Sequence, residues 1–262
     1  MNAWLKSARA QSWPWQLLIV LSLLGGWQYY SVAVSVDWFS SPTIVATRLW
    51  ALVRGDLWGH LITTLSEMTL GLLLGVPLGI GAGLTLGRSR FWGRALRPII
   101  VTLYSLPLVT LAPLLIVWFG LGMQPKVVLV ATVGFFLLFF STFSGAANID
   151  QDLVDSLRLL GATPREEFFK LLAPASLAWI MSGLKMALPY ALIAATVGEM
   201  MAARSGLGFL VSQAAGAVDM AGIYVALVVL MIVGIATGGF AVWLETRLLH
   251  WRTVADGQRA RR

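Results

Sequence analysis

Cysteine is absent from the 262 residues, which removes disulfide frameworks, thiolate metal sites and cysteine nucleophiles together. Histidine is nearly absent: His60 and His250 are the two present, far apart in the chain, so no zinc or hydrolase centre is expected. There is no glycine-rich phosphate loop ending in Gly-Lys-Ser or Gly-Lys-Thr, and the glycines from Gly79 to Gly83 follow helix spacing rather than a strand. Nucleotide would have to be bound by another polypeptide. Charge is scarce too. Asp, Glu, Lys and Arg make up 12% of the chain and hydrophobic residues 58%, whereas soluble domains carry about 25% charged residues. The expectation is an all-α polytopic membrane protein with no catalytic residue, metal or cofactor of its own.

What is present is a series of apolar runs. A helix needs about 20 such residues to cross a bilayer. Gln11–Val36 is free of Asp, Glu, Lys and Arg, and is too long for the core of a cleaved signal peptide, so it reads as a retained span. Leu57–Gly87 holds a single charge, Glu67; Pro98–Pro125 and Val127–Ile149 are separated by Lys126; Ser182–Ala203 and Ala221–Leu244 complete the set. Six spans in one membrane domain, 1–262, are expected.

Placement of the basic residues orients them. Lys6, Arg9, Arg88, Arg90, Arg94, Arg97, Arg158, Arg165, Lys170, Lys185, Arg247, Arg252, Arg259, Arg261 and Arg262 fall on one side. Only Arg48, Arg54, Lys126 and Arg204 fall on the other. The positive-inside rule puts the first side, with both termini, in the cytoplasm. The net charge of +7 is then topological and calls for no nucleic-acid partner. The basic tail from Arg247 is placed to meet anionic lipid. Between the first two spans, Ser41-Pro42-Thr43 opens a helix with Val45, Leu49, Leu52 and Val53 on one side. It reads as an amphipathic helix at the outer interface, flanked by Trp38, Trp50 and Trp58.

Several spans carry features beyond apolarity. Gly71, Gly75, Gly79 and Gly83 repeat every four residues, a groove for close approach of a helix from this chain or from a second copy. Pro77 implies a kink in the same span, and Pro107 and Pro113 break the next one. Broken helices are tolerated where protein or a water-lined cavity covers the backbone, so a pathway among the second, third and fifth spans is expected. Glu67 and Glu199 are intramembrane carboxylates, which normally face an interior or a cavity. For Glu199 a gating role competes with pairing to Arg204 or capping the Gly-Leu-Gly-Phe that follows. For Glu67, Ser66 or Thr63 could share a hydrogen bond.

The remaining feature is the charged stretch from Asp150 to Pro189. Asp150 and Asp152 open a helix with Leu153, Leu157 and Leu160 on one face. Gly161 ends it in a left-handed turn. Thr163, Pro164 and Glu166 form a capping box for a short second helix exposing Phe168 and Phe169, which Pro174 ends or bends. Such a surface fits docking onto a partner.

This stretch resembles the cytoplasmic loop of the permease subunits of bacterial ABC importers. Asp155, Ser156 and Leu157 stand at the family's acidic-Ala-Ala triplet, Arg158 to Ala162 at its arginine and Gly-Ala pair, and Ala173-Pro174 at its Leu-Pro. Ser105–Gly122, Gly183–Leu188 and Gly198–Val211 are similar to the nitrate, sulfonate and taurine branch, and the resemblance runs from Pro42 to Leu248. It implies a type I importer permease in the bacterial inner membrane, with a coupling loop at 150–182. Its ATPase-coupling residues would be Asp155, Arg158, Gly161, Ala162, Pro164, Phe168, Phe169 and Pro174. Glu67, Pro107, Pro113 and Glu199 would lie at the pathway or gate. The implied partners are two copies of a cytoplasmic ABC ATPase, which bind ATP and Mg, a second permease copy and an extracytoplasmic binding protein. The implied solute is a small anion such as a sulfonate, taurine or nitrate. A pyrimidine vitamin precursor, riboflavin or an aromatic acid is the alternative. A proton-coupled secondary transporter using Glu67 and Glu199 would require internal repeats, and none is evident.

Overall fold

The computed structural model describes residues 2–34 and 39–249. Trp38, His250, Arg252, Arg259, Arg261 and Arg262, named above, lie outside them. Every element among the described residues is helical. The chain divides into two compact units, one of Met1–Trp58 with Leu210–Val228, the other of Gly59–Phe209 with Val229–Arg262.

In the first unit, α1 runs over Asn2–Val34, where the first span was expected, and α2 over Pro42–Arg54. Ser41 caps α2, its hydroxyl accepting from the Ile44 N–H at 3.3 Å. Val45 is buried and Leu49, Leu52 and Val53 are half-buried, as the spacing predicts, while Trp50 and Trp58 remain exposed. Arg48 forms a 2.9 Å ion pair with Asp219.

Most of the long apolar helices fall in the second unit, while residues 210–216 and 220–228, in the last two helices, belong to the first. α3 spans Leu57–Arg88, α4 Arg90–Tyr104, α5 Ala112–Phe119, α6 Gln124–Ala147 and α7 Gln151–Leu159. They are followed by the one-turn α8, Pro164–Glu167, and then by α9, Ala173–Ala202, and α10, Leu207–Gly216. The last helix, α11, spans Met220–Leu248. Six spans were expected; among the described residues four helices are long and apolar enough to cross a membrane, five if the bent pair at the third span counts as one, and α1 is not among them. That pair turns by 73° between Tyr104 and Leu108, where Pro107 opens a 3-10 turn. Pro107 lacks the N–H that would continue α4, and Pro113 sits in the first turn of α5, where no N–H is missed. Pro77, in contrast, lies inside an uninterrupted α3.

The glycine stripe of α3 is filled from within the chain. A Cβ at Gly71 would meet Val130, at Gly75 the Ala131 carbonyl, at Gly79 the Phe135 carbonyl, at Gly83 Thr142 and at Gly87 Ala146. Five glycines four apart thus let α3 lie backbone to backbone on α6. The opposite side of α6 meets α9 through side chains set into glycine notches: Gly145 accepts Trp179, Gly183 accepts Ser141 and Gly198 accepts the Lys126 stem. α6 is the middle layer, with Leu129, Val130 and Leu138 fully buried.

Of the two expectations for Pro174, that it ends or bends the short helix, the ending is not observed. Its place is taken by a π-helical turn, Phe168–Leu172, and the chain then runs on as α9 with Pro174 in its first turn. The wider turn absorbs the missing proline N–H without breaking the helix. Arg165, Glu166, Glu167 and Lys170 crowd the start of this continuous Pro164–Ala202 helix, so its membrane-crossing portion begins beyond them.

Candidate functional site

Two ionic clusters occupy the two ends of α3, with Glu67 and Arg88 about 32 Å apart at 1.5 Å per residue.

The first cluster is dry. Glu67 and Glu199 are both fully buried, on α3 and α9. Glu67 forms an ion pair with Lys126, which sits in the first turn of α6 and is itself buried. Glu199 accepts from the Thr64 hydroxyl at 2.6 Å and from the Gly208 N–H at 2.7 Å. Two further N–H groups of the same turn are satisfied by α3: Leu207 donates to Thr64 Oγ1 at 2.9 Å and Gly206 to His60 Nδ1 at 3.0 Å. These are the otherwise orphaned donors at the start of α10, and a carboxylate there also meets the positive end of the helix dipole. Gly206 has φ +120°, and a Cβ on it would collide with the Glu199 carboxylate, so the turn closes around that group.

Of the sequence expectations for Glu199, capping is therefore observed, and the pairing with Arg204 is not. Glu67 bonds neither Ser66 nor Thr63: the Ser66 hydroxyl is turned to the Thr63 carbonyl at 2.8 Å and Thr63 to Gly59 at 3.0 Å, as their helical positions favour. Lys126 instead provides the charge that compensates Glu67. Lys126, Thr64 and His60 were missed. The signal for Lys126 was a lone cation between two apolar runs, read only as a separator. Pro107 and Pro113 are exposed on the bent third span and do not join this cluster.

Next to the cluster lies a cavity of about 700 Å³, lined by Lys126, Glu67 and Arg204, by the hydroxyl residues Thr63, Ser66 and Ser205, and by Ile62 and the 121–123 loop.

The second cluster is half wet. α7 ends as expected: Gly161 takes φ +81°, its N–H bonds the Arg158 carbonyl at 2.9 Å and the Ala162 N–H bonds the Leu157 carbonyl at 3.1 Å. This is the Schellman arrangement. The capping box is also formed, with Thr163 accepting from the Glu166 N–H at 3.3 Å and donating its own N–H to Glu166 at 3.0 Å. The hydrogen bond from Lys170, followed by those from Thr163, lowers the Glu166 pKa to about 2.

Glu167 is the buried member of this cluster. It receives Arg88 from the end of α3 and Arg158 Nε at 3.2 Å, and Arg158 also lies 3.9 Å from Asp155. The Arg88 hydrogen bond, with Arg158 behind it, holds the Glu167 carboxyl below its ordinary range against the opposing effect of burial. Asp155 and Arg158, named from the sequence, are thus joined here; Arg88 and Glu167 were missed, since charge alone did not show which would pair. A cavity of about 680 Å³ lies under the loop, lined by the same four residues.

The apolar surface of the loop differs from expectation. Phe168 packs inward toward Leu84, Ala146 and Leu172 and only Phe169 is exposed, because consecutive residues of a helix point to different faces. Leu160 does not share a buried face with Leu157. Once the chain enters the Gly161 turn, Leu159 and Leu160 point outward, 89% and 86% exposed. Ala162 is half-buried, and Pro164 and Pro174 are exposed.

Comparison with known proteins agrees with this architecture. The model of the family "binding-protein-dependent transport system inner membrane component" matches residues 75–250. A putative aliphatic sulfonates transport permease protein, SsuC of Bacillus subtilis, is 30% identical over 94% of this chain and 90% of its own length. The riboflavin transport system permease protein RibX of Chloroflexus aurantiacus is 34% identical over 80% and 79%. A solved structure of the MetNI methionine ABC transporter in inward-facing conformations shares the fold, with a TM-score of 0.60 at 21% identity over 77% of this chain and 98% of that chain. The chain belongs to the binding-protein-dependent transport system inner membrane component family: it is a multi-pass permease subunit of an ABC importer, and its ATPase is a separate subunit. Membership sets aside the secondary transporter weighed on the two carboxylates.

Proposed function

We propose that this permease carries a small organic anion of the sulfonate or taurine type across the inner membrane, received from an extracytoplasmic binding protein. Two copies of the chain form the pathway and two ATPase subunits drive it. Both termini and the 150–182 loop face the cytoplasm, in keeping with the distribution of lysine and arginine.

One observation carries the coupling part of this reading. The loop is held rigidly from inside, through Glu167 and its two arginines, while Leu159, Leu160 and Phe169 stand outward with nothing among the described residues to cover them. Ordered apolar side chains on a capped loop form a docking knob for a groove on the ATPase. ATP-driven closure of the two ATPases then moves the knob, and through α9 the membrane helices. The anion is supported by the sulfonate relative that aligns over nearly the whole chain; the riboflavin relative favours an aromatic solute as the second reading.

The test is co-purification with candidate ATPase subunits, followed by ATP hydrolysis in lipid with a binding protein loaded with taurine, an alkanesulfonate, nitrate, a pyrimidine or riboflavin. Stimulation by a loaded sulfonate or taurine partner is expected. Stimulation by riboflavin alone would overturn the anion, and failure of any ATPase to associate would overturn the docking role.

A further inference from the structure

The outer cavity beside Glu67 presents two cations and one carboxylate to its interior. Lys126 is committed to Glu67 on one side. Arg204 is not committed at all: among the described residues no carboxylate pairs with it, whereas Arg48, Arg88 and Arg158 each have one, and Arg54 and Arg97 lie over aromatic rings. A planar guanidinium with its donors free is the side chain best suited to an oxyanion, which it can hold through two parallel hydrogen bonds. The hydroxyls of Thr63 and Ser205 lie 3.3 Å apart in the same wall and supply further polar contacts. The lining also includes Ile62 and Leu121, 65% and 78% exposed, an apolar surface suited to a short carbon chain. Leu121 is set between Gly120 at φ +76° and Gly122 at φ +147°, so a tight turn fixes its position on the rim. The volume of about 700 Å³ falls among those of small-molecule sites.

From this we infer that the cavity is a binding site for a small organic oxyanion, with Arg204 holding the charged group, Lys126 behind it, and Ile62 and Leu121 against the tail. The inference rests on the proposed import of an anion and deepens it by giving this chain, and not only the binding protein, a part in choosing the solute. The same chemistry would accept the phosphate of a lipid headgroup, and the experiment separates the two sources.

Because the chain has no cysteine, Leu121→Cys places a single thiol on the cavity rim, and Ile62→Cys gives an independent second one. The assembled transporter, permease with its ATPase subunits, is reconstituted in phosphatidylcholine vesicles. Labelling by a membrane-impermeant maleimide is timed with ethanesulfonate or with neutral ethyl methyl sulfone. Saturating ethanesulfonate should slow labelling about tenfold, the sulfone should not, and Arg204→Gln should raise the concentration needed by about tenfold, the worth of one charge-assisted contact. Equal protection by the sulfone, or protection that survives Arg204→Gln unchanged, would overturn the site. So would slow labelling in phosphatidylglycerol vesicles to which ethanesulfonate adds nothing, which would assign the cavity to lipid. Sulfonate uptake without protection removes this site and leaves the proposed function standing. Protection without uptake upholds the site and removes the proposed solute.

Discussion

The two ends of α3 solve the same problem, a carboxylate held by cations, in opposite surroundings. At Glu67 and Glu199 the groups are buried beside a cavity and share their donors with a backbone turn; at Glu167 one buried carboxylate is gripped by two arginines whose outer faces remain wet. A buried cluster is costly to disturb because each member left alone is an uncompensated charge, whereas water can replace a lost partner at the wet end. The dry end is therefore the fixed one and the wet end the adjustable one.

The largest effect is expected from Lys126→Met. It leaves Glu67 buried without its cation and should cost about 3–5 kcal/mol, read as lost folded protein and a lower thermal-unfolding midpoint in detergent. The double variant Glu67→Gln with Lys126→Met should recover most of it. No recovery would mean the pair is not the source of the loss.

A smaller effect follows from cutting between the two ends. Gly79→Ile drives a branched side chain into the Phe135 carbonyl across the seam, an overpacking cost of about 1–3 kcal/mol. The same substitution at Gly81, which has open space around it, should be nearly silent in the same unfolding assay. Equal losses would show that the helices separate and re-pack.

At the wet end, Gly161→Val places a β-branched residue at φ +81°, a local strain of about 1–2 kcal/mol. Insertion should be normal while uptake is lost, since the loop no longer presents Leu159 and Leu160 correctly. Normal uptake would sink the coupling role. The smallest effect is that of Arg158→Gln, about 0.5–1 kcal/mol, because Arg158 is half exposed and Arg88 remains.

The pH dependence of that end has a definite sign. Glu167 has a folded pKa below its unfolded value, so its contribution is fully present above the ordinary carboxylate pKa and fades as pH falls through the folded one. Loop protection in hydrogen exchange should be flat between pH 6 and 8, far above the ordinary glutamate value of about 4.3. A change in that interval would point to another group.

Local chemistry was legible in the sequence and partnership was not. The Gly161 turn, the Thr163–Glu166 box, the Ser41 cap and the break at Pro107 depend on residues within a few positions of each other, and they stand where spacing put them. The glycine repeat announced a close helix contact but did not say with which helix. For the site, Glu67 and Glu199 stand out in the sequence as charges within apolar runs, yet Lys126 lies about 60 positions from Glu67, Thr64 135 from Glu199 and His60 146 from the Gly206 N–H it accepts, where no periodicity reaches. Phe168 and Leu160 failed for other reasons: consecutive residues of a helix point to different faces, and the left-handed Gly161 shifts the helical register beside Leu160, so a face counted at 3.6 residues per turn no longer applies there.

The glycines on both sides of α6 have a mechanical consequence. Three helices held this closely, α3 backbone on backbone against α6 and α9 through side chains set into glycine notches, form a laminate with little room for internal shear. The distance from α3 to α9 should then stay constant through a transport cycle, and the compliance needed for alternating access has to reside outside this plate.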